Sequence, residues 1–92
     1  MKDHILDIRN WTLVSKGFYR YVVASNVCYE IHLIKHYLDK PFIKANANLY
    51  LVGDWHDTTR QVNYFERQLL CENKSIEELL AFAKKDFEEN MK

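Results

Sequence analysis

The chain is 92 residues long, sets thirteen Lys and Arg against thirteen Asp and Glu, and holds two Gly and one Pro beside six Tyr, five Phe and two Trp. That length predicts one small domain spanning 1–92, because domains cluster near ~100–150 residues. The 48% apolar fraction is that of a folding chain. Balanced charge argues against a strongly electrostatic nucleic-acid binder, and two glycines exclude a glycine-rich phosphate loop.

Asp3 and Asp7 stand where a signal peptide would keep its apolar stretch. Apolar runs fall far short of the ~20 residues of a spanning helix. The expected location is the cytoplasm, without membrane contact. Cys28 and Cys71 are then reduced thiols packed as small hydrophobes.

In chain order, Trp11-Thr12-Leu13-Val14-Ser15 is β-favouring, and Lys16-Gly17 turns the chain, with Gly able to take positive φ. Phe18 to Ala24 is aromatic and β-branched, hence a second strand. Ser25-Asn26 is a second turn. From Val27 onward, Val27, Tyr29, Ile31 and Leu33 alternate with Cys28, Glu30, His32 and Ile34. A helix through Glu30–Leu38 competes, since Ile31, Ile34 and Leu38 also keep helical spacing. The hairpin-like turn before it favours a strand, ended by Asp39-Lys40-Pro41. Ala47, Leu49, Leu51 and Trp55 alternate with Asn46, Asn48, Tyr50, Val52 and Asp54 in a fourth strand. Gln61 to Cys71 forms a fifth, with Phe65, Leu69 and Cys71 opposing Tyr64, Glu66, Gln68 and Leu70. The expected strands are thus 11–15, 18–24, 27–36, 46–55 and 61–71.

Ser75-Ile76-Glu77-Glu78 is a capping box, in which hydroxyl and carboxylate each satisfy the other residue's amide. Ile76, Leu79, Leu80, Ala83 and Phe87 follow as an apolar stripe, so a helix is expected over 75–89. Glu88 and Glu89 oppose the helix dipole and predict fraying after Phe87. The fold class is α+β: an antiparallel meander of four to five strands packed on one C-terminal helix.

One helix covers one sheet face, with Ile5, Leu6 and Ile8 adding a little. The other face should keep a mixed aromatic and polar surface, as at interfaces. Tyr19, Tyr21, Glu30, His32, Asn48, Tyr50, Tyr64 and Glu66 are its expected partner-binding residues. Glu30, Gln68, Asn46 and Asn48 would keep such a face soluble before it binds.

Catalytic signals are thin. His32 and His36 have helical metal-ligand spacing, but Leu33 stands where a zinc-protease motif needs Glu. On a strand the two imidazoles stand ~13 Å apart, too far for one metal. Asp54, His56 and Asp57 are weak metal or general-base candidates, and a polar turn accounts for them equally. No catalytic residue, metal or cofactor is expected.

The expected function is non-catalytic: a small binding or regulatory protein, such as a mobile-element accessory or inhibitor. It would act through the open sheet face on a protein partner or as a homodimer. Single-stranded nucleic-acid binding on the tyrosines is the alternative, and a metal-assisted enzyme the third reading. Charge is unevenly placed. Glu72, Glu77, Glu78, Asp86, Glu88 and Glu89 gather on the helix and its flank, which leaves Arg9 to Arg67 mildly basic.

Overall fold

A computed structural model describes residues 2–24, 27–34, 45–53 and 67–90 of the chain. Two short 3-10 turns, Lys2–Leu6 and Ile8–Asn10, lead into β1 (Thr12–Ser15), β2 (Phe18–Ala24), β3 (Val27–Leu33), β4 (Asn46–Gly53), β5 (Arg67–Ser75) and α1 (Ile76–Asn90). The strands form one antiparallel sheet in sequence order, β1-β2-β3-β4-β5. This is the α+β meander with one C-terminal helix that the patterning predicts.

The β1–β2 turn is made at Gly17, whose φ of 77° lies in the left-handed region. Trp11 differs from expectation. It caps the second 3-10 turn by donating its N–H to Ile8 O at 3.0 Å, and its indole Nε1 donates to Ile5 O at 2.8 Å. Trp11 is thus a buried anchor for the N-terminal segment rather than the first strand residue. Asp7 caps the same turn, accepting from the Arg9 amide at 2.9 Å and from its guanidinium at 2.7 Å. The side-chain hydrogen bond from Arg9 draws the Asp7 carboxyl down to about 2.

The alternation in β3 and β4 fixes the two faces. Val27, Tyr29 and Ile31 from β3 and Ala47, Leu49 and Leu51 from β4 are buried on one face, against Ile76, Leu79, Leu80 and Ala83 of α1. Ile5 and Trp11 complete this core, with Ile8 and Phe87 packed at its margin, while Leu6 is exposed. Tyr29 also donates its hydroxyl to Asp86 Oδ2 of α1 at 2.6 Å. Burial, then the Asp86 hydrogen bond, holds that phenol well above its ordinary range.

Helix α1 starts directly after β5, and Ser75 serves both elements. The capping box is formed: Ser75 N donates to Glu78 Oε1 at 3.2 Å and Glu78 N donates to Ser75 Oγ at 3.3 Å. The helix runs to Asn90, so the opposing charges at Glu88 and Glu89 do not fray it after Phe87.

β5 departs most from the expected pattern. It continues to Ser75, four residues beyond the expected end at Cys71, and two irregularities interrupt its register against β4. Tyr50 pairs with Leu69 but Leu49 pairs with Cys71, so Leu70 is an inserted residue. Leu69 and Cys71 therefore fall on opposite faces instead of sharing one. Cys71 and Leu70 pack toward the helix-side core, while Leu69 is exposed on the other face. Gln68 pairs with Leu51 and joins the helix side, not the side of Glu30.

The second irregularity lies between Ala47↔Lys74 and Leu49↔Cys71, where Asn73 takes a φ of 57°. Asn48 Oδ1 accepts from Asn73 N at 2.8 Å and Asn46 Nδ2 donates to Asn73 Oδ1 at 3.0 Å. The Asn46 and Asn48 pair thus fastens a bulge. Positions 35–36, 54–55 and 61–66 of the expected strands lie outside the described residues.

Candidate functional site: the sheet face opposite the helix

Strand pairing orders the second face into three rows. Phe18, His32 and Asn48 form one, Arg20, Glu30, Tyr50 and Leu69 the next, and Val22, Cys28, Val52 and Arg67 the third. Glu30 sits at the centre and is only 1% exposed.

Three side chains close over that carboxylate. Arg20, directly across on β2, donates Nε and Nη2 to Oε2 at 3.2 and 3.1 Å. Arg67 lies two strands away on β5 and reaches diagonally across β4 to donate Nε to Oε1 at 3.1 Å, with Nη2 ion-paired to the same oxygen at 3.0 Å. His32, two residues along β3, places Nε2 2.9 Å from Oε1, so the hydrogen belongs on Nε2. Burial pushes the Glu30 carboxyl up. The hydrogen bonds from His32 and Arg67, the Arg67 charge and the Arg20 hydrogen bond outweigh it, and Glu30 sits below the ordinary carboxylate range.

Beside the carboxylate lies a run of rings. The His32 imidazole packs 4.4 Å from the Phe18 ring and 4.8 Å from the Tyr50 ring, tilted by 44° and 55°. The Arg20 guanidinium lies 5.4 Å over Phe18. His32 and Arg20 therefore both couple the ring run to the ion cluster. Cys28 is buried with its Sγ 4.0 Å from Glu30 Oε2. Burial, then the Glu30 charge, pushes this thiol up, which is the opposite of what a nucleophilic or metal-binding cysteine needs. Cys71 lies on the other face, paired with Leu49.

The structure divides the residues expected to share one surface. Glu30, His32, Asn48 and Tyr50 lie on the face opposite the helix. Tyr19 and Tyr21 pair with Ile31 and Tyr29 and pack against the helix-side core. The Tyr21 hydroxyl also meets His4 Nδ1 at 2.8 Å. The two tyrosines follow the same period-two register that places Arg20 on the far face. Tyr64 and Glu66 lie outside the described residues, as do Asp54, His56, Asp57 and His36. Among the described residues no group of three or more His, Cys, Asp or Glu is placed to hold a metal ion. No described helix is long and apolar enough to cross a membrane.

Arg20, Arg67 and Phe18 carry much of this face and were not among the expected site residues. Arg20 and Phe18 were legible, being the partners of Tyr19 and Tyr21 in alternation. Arg67 was not, because its role depends on crossing β4 to a residue 37 positions away. Compared with protein-family models, with curated proteins and with solved structures, the chain matches none.

Proposed function

We propose that this protein is a non-catalytic binding module acting through the sheet face opposite the helix, on a protein partner or a second copy of itself. The observation that carries this reading is the composition of that face at its margins. Val22, two residues along β2 from Arg20, is 63% exposed, and Leu69, 46% exposed, pairs with Tyr50 at the end of the Phe18–His32–Tyr50 rings. Exposed apolar and aromatic side chains grouped with arginine are the composition of interfaces. The ion cluster is internally satisfied, which suits a rigid surface better than proton transfer. Glu30 is buried, ionised and hydrogen-bonded on both oxygens, so it is a poor general base.

A second reading, single-stranded nucleic-acid binding, draws support from the aromatic rings on a face that also carries Arg20, which lies over Phe18, and Arg67. Sedimentation equilibrium across a concentration series, on the parent and on Val22→Glu with Leu69→Glu, tests the self-association arm. Anisotropy with labelled oligothymidylate across ionic strength tests the nucleic-acid arm. Concentration-dependent dimerisation abolished by the double substitution supports a homodimer through this face. A monomer that binds the oligonucleotide with a salt-dependent affinity lost in Arg67→Gln would replace the first reading by the second.

A further inference from the structure

Glu30 is the one acidic residue in the sequence of β2, β3 and β4. The sheet hides it while leaving its partners in water: the Glu30 side chain is 1% exposed, against 40% for Arg20 and 48% for Arg67. Solvent meets the cations and not the acid. The centre of this face presents positive charge although the chain as a whole is neutral.

The two guanidiniums are also held in orientation. Each turns Nε and Nη2 toward one oxygen of Glu30. Their Nη1 groups stay outside that contact, and the Nη1–Nη2 edge is one of the two edges on which guanidinium meets a carboxylate bidentately. Two arginines anchored by a shared buried acid lose little side-chain entropy on binding. Each stands two residues along its strand from an exposed aliphatic side chain, Arg20 from Val22 on β2 and Arg67 from Leu69 on β5.

We propose that Arg20 and Arg67 form a clamp for carboxylates of an acidic protein segment, whose adjoining aliphatic side chains cover Val22 and Leu69. Glu30 is the positioning residue. This rests on the face being a protein-binding surface. Charge complementarity selects an acidic segment. The aliphatic corners select a peptide over a nucleic acid, as does the tilted ring run, in which His32 packs between Phe18 and Tyr50 and Arg20 lies over Phe18. Two cations also make few phosphate contacts.

Panning short random peptides displayed on phage against the full chain at low salt tests the clamp, with oligothymidylate as competitor. Recovered sequences are expected to combine Asp or Glu with Leu, Ile or Val. Labelled copies should lose about tenfold or more in affinity with Arg20→Gln plus Arg67→Gln. The Glu30 role has its own readout, the preference for a recovered peptide over its counterpart with Gln for each Glu. Glu30→Gln, confirmed folded by circular dichroism, should erode that preference while binding of the Gln counterpart persists. Arg20→Lys, which keeps the charge but not the fork, should erode it also.

Recovered peptides without acids, whose binding is lost in Val22→Glu, would overturn the clamp and leave the binding face standing. Peptide binding indifferent to every one of these substitutions would overturn both. Failure to recover any sequence above background, or oligothymidylate displacing the peptides, would likewise overturn the clamp.

Discussion

Replacing Glu30 by Gln changes one oxygen to NH2 in a site where every neighbour donates. Glu30 accepts four contacts from two arginines at 3.0–3.2 Å and one from His32 at 2.9 Å. The amide keeps one acceptor oxygen, so about half of these contacts survive, and the new NH2 faces donors. A hydrogen bond to a charged group contributes ~1.5–3 kcal/mol, and breaking a fully buried pair costs ~3–5 kcal/mol. The arginine heads are about half exposed and can turn to water, so the expected loss is ~2–3 kcal/mol. Glu30→Met provides the discriminating comparison. It buries no unsatisfied polar atom and releases both arginines to solvent, so its loss should be smaller, ~1–2 kcal/mol. Urea titrations at neutral pH, with equal slopes for the three proteins, measure these differences. The pH dependence carries an independent sign. The Glu30 carboxyl is lowered in the folded protein, so its contribution is fully present above the ordinary carboxylate value of ~4.3 and is lost as pH falls through the lower folded value. The gap between parent and Glu30→Gln should therefore narrow in acid. A gap under ~0.5 kcal/mol at neutral pH, a gap that widens in acid, or Met costing more than Gln would refute the reasoning.

Three further outcomes are expected. Ser75→Ala removes the hydroxyl that accepts from the Glu78 amide and should cost ~1 kcal/mol, read as a melting temperature lower by ~4–8 °C. Asn73 sits at φ 57°, so Asn73→Val should cost ~2 kcal/mol, whereas Asn73→Gly should stay within ~0.5 kcal/mol because relief of the backbone offsets the lost Asn46 contact. Equal destabilisation by Val and Gly in chemical denaturation would show that the side-chain bond, not the backbone, fixes this bulge. Tyr29→Phe deletes the 2.6 Å bond to Asp86 and should cost ~1–2 kcal/mol, and hydrogen exchange should show faster opening of α1 amides.

Period-two alternation made β2, β3 and β4 legible because each has a buried face and a different opposite face, so register had one good solution. The helix was legible from the Ser75–Glu78 capping box and the apolar stripe after it, since both are local devices. β5 was not legible to the same degree. Leu69-Leu70-Cys71 alternates only on paper. Insertion of Leu70 puts Leu69 on one face and leaves Leu70 and Cys71 on the other, and no local residue signals it. Asn73 is better marked, because Asn tolerates the left-handed region. Yet Asn46 and Asn48 read as solubilising residues until their partner 25 and 27 positions away was known. Tyr19 and Tyr21 were grouped with the partner face by residue type. The alternation that separates them from Arg20 was in the sequence, but which side the helix would take was not.

The same distinction governs charge. A sequence counts acids and bases, while a partner meets only those left in water. Glu30 and the two arginines sum to a small number, and the sum conceals that the acid is enclosed and the bases are not. Burying the acid is tolerable here because five donor contacts replace its water. Those contacts in turn fix guanidiniums that would otherwise sample many rotamers. The buried carboxylate therefore acts in two directions: inward, by joining β2, β3 and β5 through one residue, and outward, by ordering the arginine donors at the centre of the face. If the inward role were the whole of it, Glu30→Met would lose stability and nothing in peptide selectivity. Loss of acidic-peptide preference in that variant, with the fold intact, would separate the outward role from the inward one.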